Sequence, residues 1–425
     1  MRALGFIQKS DSLQTILKDL EYSRKMKNNV VIIGQNYNTS YGVIRGIGEA
    51  GYRCEVGKRI HDKPCKRLMP ELKSKYIDKY VFLMTREDSL MVQDIISSFA
   101  REGNRKVLIP TDDFCAALVD RNLATLQQFF YLPNINGVSG EVSKMMDKFH
   151  QKEIIRRYGL TTADICVVDS KDDIKNTIPQ DIEYPCFIKP LSSAGIPKYI
   201  MRKCNSYDEL VSGLNGAFDV RDCKMLIERF VEIEKEYTIP GIAVDGEVMI
   251  PSLIEKNGVG SGAHKGVTIS GKVLPTGNFE NLVGKLEHFI KDIGFTGIFD
   301  IEILYSKGNY YFNELNLRYG AAGYALTASG INLPAYYVES LQSGKVVYDS
   351  YSVEFQPGLT FVNEKAAFEY YQAGYSGLLD FLRSLKEAEQ HFMLTRSDAM
   401  VTLGFLRLIT IPIFKKLVKK VLRLK

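Results

Sequence analysis

Between Gly297 and Gly320 the sequence GIFDIEILYSKGNYYFNELNLRYG sets acidic and amide side chains two residues apart: Asp300 with Glu302, and Glu314 with Asn316. Ile, Tyr and Phe surround them, and the pattern reads as two strands around a tight connection at Ser306–Asn309. A spacing of two puts each pair on one face of its strand. The register that sets Glu302 opposite Glu314 opposes like charges, which is destabilising, so it requires a cation between them. Two carboxylates and an amide oxygen are hard ligands, suited to Mg²⁺ (or Mn²⁺) that also holds phosphate oxygens. Arg318 stands two residues beyond Asn316, at the edge of the same site. Gly320, Ala321, Ala322 and Gly323 then lead into a helix start, where exposed amides favour an anion. The same acids also fit a solvated hairpin face. If no metal is bound, relief of repulsion predicts that Glu314→Gln folds normally.

Stepping outward, Val30–Ile33 is a continuous apolar run, as in a strand buried on both faces of a parallel sheet. Gly34 turns the chain, and Ser40 to Ala50 reads as a crossover helix. A second strand fits Lys106–Ile109, followed by Asp112 and Asp113 and a helix over Phe114–Phe130. Those two acids lie where substrate loops lie, but Asp112 or Thr111 also serves as a helix cap, the reading favoured here. SKMMDKFHQKEIIRRYG predicts one amphipathic helix ended by Gly159, with Lys148 near its middle. PCFIKP, Pro185–Pro190, predicts a short strand carrying Lys189. Leu191–Ile200 is a small-residue loop whose amides and serines suit a phosphate, although Ser-Ser-Ala-Gly is also an ordinary turn. Asp245-Gly246 predicts a hairpin with its return strand over Glu247–Ile254. Lys256–Gly266 is a glycine-rich loop. Asn278–Ile293 predicts an amphipathic helix leading into the acidic hairpin. The stretch Gly266–Lys272 matches the spacing of a P-loop, but Val273 follows the lysine and the segment is β-patterned, so that reading is rejected.

Length and composition bound the remaining possibilities. The chain has 425 residues, long enough for two or three domains, with the 45% apolar and 25% charged content of a globular protein. Its seven cysteines are scattered, with no CxxC spacing, which argues against a disulfide framework or zinc site and for a reducing compartment. No signal-peptide pattern and no spanning apolar run is visible, so the expected localisation is cytoplasmic. The net charge of +5 is concentrated in residues 415–425, which carry six basic residues and no acid. The body lacks a basic patch or motif for nucleic acid. Val401–Phe414 is largely apolar, and with the basic residues after it predicts an amphipathic helix on an anionic membrane surface, or one docked on the body.

Glu302, Glu314 twelve residues on, Asn316 and Arg318 together resemble the metal-binding hairpin of the ATP-grasp superfamily. The resemblance covers roughly Glu141 to Gly344. It implies an α/β and α+β architecture: a helical extension at 1–28, a Rossmann-like pre-ATP-grasp domain at 29–140 and an ATP-grasp domain at 141–350. The small lobe would span about 147–230 and the large lobe about 231–350, followed by a helical segment at 351–400 and a basic tail at 401–425. It further implies that Lys148 and Lys189 hold phosphates and that Ser192, Ser193 and Gly195 close over them. Glu228, Arg229, Phe230 and Val231 would read adenine, and Glu236 the ribose. Glu302, Glu314 and Asn316 would hold Mg²⁺, with Arg318 beside the transferring phosphoryl group. The phosphate loop has a single Gly195 where common versions have more glycine. His264 and Lys265 are candidate substrate contacts, His264 as a general base, with a structural role the alternative.

Gly320, Gly323, Gly330 and Asn332-Leu-Pro334 resemble the carboxylate–amine ligase branch, near D-aspartate ligases. That implies an ATP-dependent ligase joining an amino-acid carboxylate to an amine through an acyl phosphate. The carboxylate of the amino acid is expected near Gly320–Gly323, and the acceptor is expected to be a cell-wall or surface-glycan precursor. Another nucleophile, as in a carboxylase or thiol ligase, and a non-catalytic nucleotide-binding regulator are the alternatives.

Overall fold

The computed structural model describes residues 29–35, 37–64, 69–191, 200–220, 223–259, 267–347 and 355–422, with side chains assigned as far as Phe414 in the last helix. The expected helix at 1–28, the loop residues Ser192, Ser193 and Gly195, and the pair His264 and Lys265 lie outside them.

The first sheet is parallel and five-stranded, in the order Ile77–Met84, Cys54–Ile60, Val30–Gly34, Lys106–Pro110, Phe130–Tyr131. Its central strand is the apolar run seen in the sequence, and Val30, Val31, Ile32 and Ile33 have no exposed surface. Gly34 is required by close approach: a Cβ there would lie 2.1 Å from the Thr111 hydroxyl. The crossover helix is Tyr37–Glu49. Asp112 caps the next helix, accepting from the Cys115 amide at 2.8 Å, and it also accepts from the Gln35 amide at 2.6 Å. That helix is shorter than expected, Asp113–Arg121, with a second turn at Leu123–Leu126, because Phe130 turns inward as the edge strand.

The small-lobe sheet is antiparallel, in the order Arg202–Cys204, Cys186–Pro190, Met225–Arg229, Asp164–Val168. The helix expected through Lys148 is instead two, Glu141–Met145 and Lys148–Ile155. Asp147 separates the two by capping the second, accepting from the His150 amide, so Lys148 opens that helix.

The large-lobe sheet is ten-stranded and contains the acidic hairpin, Phe295–Ser306 and Asn309–Asn316. Lys307 and Gly308 both have positive φ, 49° and 80°, the two-residue turn that suits twisted strands. Asp245 and Gly246 turn the other hairpin in the same way. Its return strand breaks into Glu247–Met249 and Ser252–Val259. Thr268 to Lys272, within the stretch that matches P-loop spacing, lie in the strand Thr268–Pro275, in keeping with rejection of a P-loop. The helix Glu280–Asp292 buries Leu282, Leu286, Phe289 and Ile290 against Phe295, Phe299 and Phe312 beneath the hairpin.

Residues 351–400 are not purely helical. Thr360–Val362 and Gln390–His391 extend the large-lobe sheet, and the helices Glu364–Gln372 and Leu378–Glu387 lie between them in sequence. Glu364 is fully buried, and its carboxylate accepts from the amides of Phe392, Met393 and Leu394 at 2.9–3.1 Å. Each of those amides loses its acceptor in Glu364→Ala, so the variant should be less stable by roughly 3 kcal/mol. The midpoint of urea unfolding measures this; an unchanged midpoint contradicts it.

Candidate active site

The hairpin register sets Glu302 opposite Glu314 and Asp300 opposite Asn316. Beyond Glu302 the register shifts by one residue, so Asn313 and Glu314 together face a single partner position. The bulge presents Asn313 to the cleft beside the two carboxylates. Its side chain donates to Glu302 at 3.2 Å and accepts from the Lys189 ammonium at 2.9 Å.

A cleft of about 780 Å³ lies where the two lobes and the first sheet meet. Lys148, Lys189, Glu228, Arg229, Phe230, Val231, Glu236, Glu302, Glu314, Asn316 and Arg318 all line it, so every described candidate converges there. Asp112 and Asp113 also reach it from the first sheet, so capping and cleft lining are combined in one short segment.

Within the cleft, cations and carboxylates are interleaved. Lys148 is 3.4 Å from Glu314, and Lys189 is 3.0 Å from Glu228. Lys152, one helical turn beyond Lys148, also pairs with Glu228. Lys256 pairs with Glu236 and lies 3.2 Å from Glu302. Arg318 holds Asp113 at 2.6 Å and donates to the Asn316 amide oxygen at 3.1 Å. Lys152, Lys256 and Asn313 were not singled out from the sequence. For Lys152 the signal was the four-residue interval from Lys148, which shares its helix face.

Burial disfavours charge on Glu314, Glu228, Lys152, Lys256 and Asp300, and their neighbours decide the outcome. Burial pushes the Glu314 carboxyl up, but Lys148, Lys189 and Arg318 outweigh it and hold its pKa at about 2. Glu228 is likewise held below the usual range by Lys189 and Lys152, despite burial. Burial and Lys189 push Lys152 down to about 8. Lys256 is buried, yet Glu302 and Glu236 raise its pKa. At Asp300 burial wins: with Glu302 adding, it raises the pKa to about 6 against the Thr238 hydroxyl, Lys256 and Arg318.

Glu228, expected at the adenine, pairs with both Lys152 and Lys189. The Phe230 amide, part of the backbone expected at the adenine, donates to the Pro185 carbonyl at 3.1 Å. The helix expected after Gly320 is only Tyr324–Ala328, five residues with a correspondingly small end charge. Gly320 is instead pressed against Asp300, whose carboxylate oxygen would lie 1.8 Å from a Cβ.

Among the described residues no three His, Cys, Asp or Glu side chains form a ready metal site. The donor set nevertheless fits Mg²⁺, an ion that keeps part of its ligand shell as water and phosphate. Glu302, Glu314 and the Asn316 oxygen supply hard donors, and the opposed carboxylates are each held by a lysine on its own side of the hairpin.

The depressed pKa of Glu314 contributes stability that is full above about pH 4.5 and lost as pH falls toward 2. Glu314→Gln should therefore cost on the order of 2–3 kcal/mol at pH 7, and flatten the acid limb of urea stability. This reverses the expectation from repulsion, because the cations around Glu314 outweigh Glu302. Asn313→Leu should lower kcat/KM for ATP at least tenfold (about 1.4 kcal/mol) by freeing Lys189 from the hairpin. Steady-state kinetics at fixed Mg²⁺ measures it, and unchanged kinetics rejects the bridge.

Residues 153–332 match the family described as the ATP-grasp domain. The chain is 20% identical to D-aspartate ligase of Enterococcus faecium over 333 residues, covering 73% of this chain and 75% of that one. It is 34% identical to D-alanine–D-alanine ligase of Natranaerobius thermophilus over 144 residues, 29% of this chain and 38% of the relative. In fold it is similar to the biotin carboxylase domain of Hydrogenobacter thermophilus 2-oxoglutarate carboxylase, solved with MgADP, ADP and bicarbonate. The TM-score is 0.60 at 17% identity, covering 78% of this chain and 73% of that one. Residues 153–332 thus carry an ATP-grasp domain, the domain of ligases that use ATP and Mg²⁺.

Proposed function

We propose that the protein is a carboxylate–amine ligase that forms an amide bond through an acyl phosphate, attaching an amino acid to a cell-wall or surface-glycan precursor. The observation that carries this reading is the convergence of Lys148, Lys189 and Arg318 on Glu314, directly across from Glu302. Two anions must meet in such a reaction, a phosphate chain and a substrate carboxylate, and only a cation-rich, poorly hydrated cleft brings them together. The similarity to D-aspartate and D-alanine–D-alanine ligases supports amide formation over other nucleophiles.

Lys148 and Lys189, each held by a carboxylate, are placed to exchange that partner for phosphate oxygens. Glu228 keeps Lys189 and Lys152 aligned while they do so. Glu302, Glu314 and Asn316 would hold Mg²⁺, which neutralises phosphate oxygens when bound. Arg318 stays charged, its pKa raised by Asp113 despite burial, and offers its remaining donors to the developing oxyanion. Phe187, Leu304 and Phe312 line the cleft and limit water, which would hydrolyse an activated acyl group. Glu236 would take a ribose hydroxyl, and Ser192, Ser193, Gly195, His264 and Lys265 remain the candidates for closing the site and contacting substrate.

Release of ADP from Mg-ATP, measured across a panel of amino acids and amines, tests the function. Release that requires both a carboxylate and an amine is expected, and Lys189→Met should reduce it at least a hundredfold (about 2.7 kcal/mol). Release driven by bicarbonate or a thiol, or ATP binding without turnover in any mixture, contradicts it.

A further inference from the structure

The last helix, Ala399–Leu422, has two apolar faces, and only one is used by the fold. Val401 and Phe405 are fully buried and Ile409 nearly so, and the Gly404 backbone passes so close to Pro70 that a Cβ would lie 2.7 Å away. Asp398, just before the helix, is buried and accepts from the Tyr41 hydroxyl at 3.2 Å and the Lys75 amide at 3.2 Å. This end of the helix is therefore fixed to the body. On the other side Met400, Leu403, Arg407, Ile411 and Phe414 recur at three- and four-residue intervals, one stripe, and all are exposed. Met400 is 56% exposed, Leu403 49% and Phe414 68%, with Leu406 beside them.

A monomer gains nothing from a row of exposed Met, Leu, Ile and Phe side chains, broken only by Arg407, in water. The helix continues to Leu422, and the sequence from Lys415 to Lys425 adds six basic residues and no acid, while the rest of the chain is close to neutral. Exposed apolar side chains followed by concentrated positive charge match an anionic lipid surface, whose headgroups attract the charge and whose acyl boundary takes the apolar groups. Among the described residues no helix is long and apolar enough to cross a membrane, so the match is to its surface. We propose that the exposed stripe of this helix docks the protein on an anionic membrane, with the buried stripe holding the body in a fixed orientation above it. The two sequence readings, docked helix and membrane helix, then describe opposite faces of one element. This proposal does not depend on the ligase reading.

The test is sedimentation of the full chain with vesicles of phosphatidylcholine, with and without phosphatidylglycerol. Binding is expected to the anionic vesicles, to weaken as salt rises, and to fall at least tenfold in a Leu403→Ser, Phe414→Ser double variant. Both side chains are exposed and far in sequence from the cleft residues, so the variant should keep the wild-type melting temperature and rate of ADP release. Equal partitioning of variant and wild type, or no binding by either, overturns the proposal. So does sedimentation velocity showing that the stripe seals a dimer which the double variant dissociates.

Discussion

Glu302 and Glu314 face each other across adjacent strands, and the rest of the cleft is arranged around that opposition. Two carboxylates at this separation repel, and burial raises the cost of each charge. Without partners one of them would take up a proton. Glu314 instead stays ionised well below the ordinary carboxylate range because three cations from three different parts of the chain converge on it. Lys148 opens a helix, Lys189 lies on a small-lobe strand and Arg318 follows the hairpin itself. Asp300, on the same strand face as Glu302, shows the opposite result: there burial and Glu302 outweigh Lys256 and Arg318.

The remaining carboxylates serve the cations. Glu228 stands between Lys152 and Lys189, Glu236 meets Lys256, and Asp113 meets Arg318. An uncompensated buried lysine would lose its proton or recruit water, and either change would spoil a phosphate site. Interleaving gives each of these cations a carboxylate partner that positions it before a nucleotide arrives, which is what electrostatic preorganisation requires. Asn313 couples the lobes directly, because a single bulge residue touches a small-lobe lysine and a large-lobe acid. Neighbouring charges here act as one network, so single substitutions in the cleft are expected to be non-additive.

Much of the hairpin was legible because its signals are local. Lys307-Gly308 specifies the turn, the turn specifies the register, and the two-residue spacing then places the acids. The buried central strand Val30–Ile33 was legible for the same reason. What escaped depends on distant partners. Nothing within YFNEL marks which residue is doubled by the bulge, so Asn313 was not apparent. Lys256 looked like the start of a loop because only the pairing of its strand with the one bearing Glu236 brings it into the cleft. Apolar periodicity runs through Asp147 and so predicts one helix, where capping by Asp147 makes two. Thr360–Val362 is too short to announce itself as a strand and owes its state to the sheet edge it joins.

The most direct measurement is a crystal structure of the protein grown with ATP and Mn²⁺, read by anomalous scattering. One manganese should bond oxygens of Glu302, Glu314 and Asn316 at about 2.1 Å, the distance of a small octahedral divalent ion. The ammonium groups of Lys148 and Lys189 should have moved from their carboxylates onto phosphate oxygens. Manganese bound away from the hairpin, or phosphates lying out of reach of both lysines, would contradict the nucleotide site at its centre.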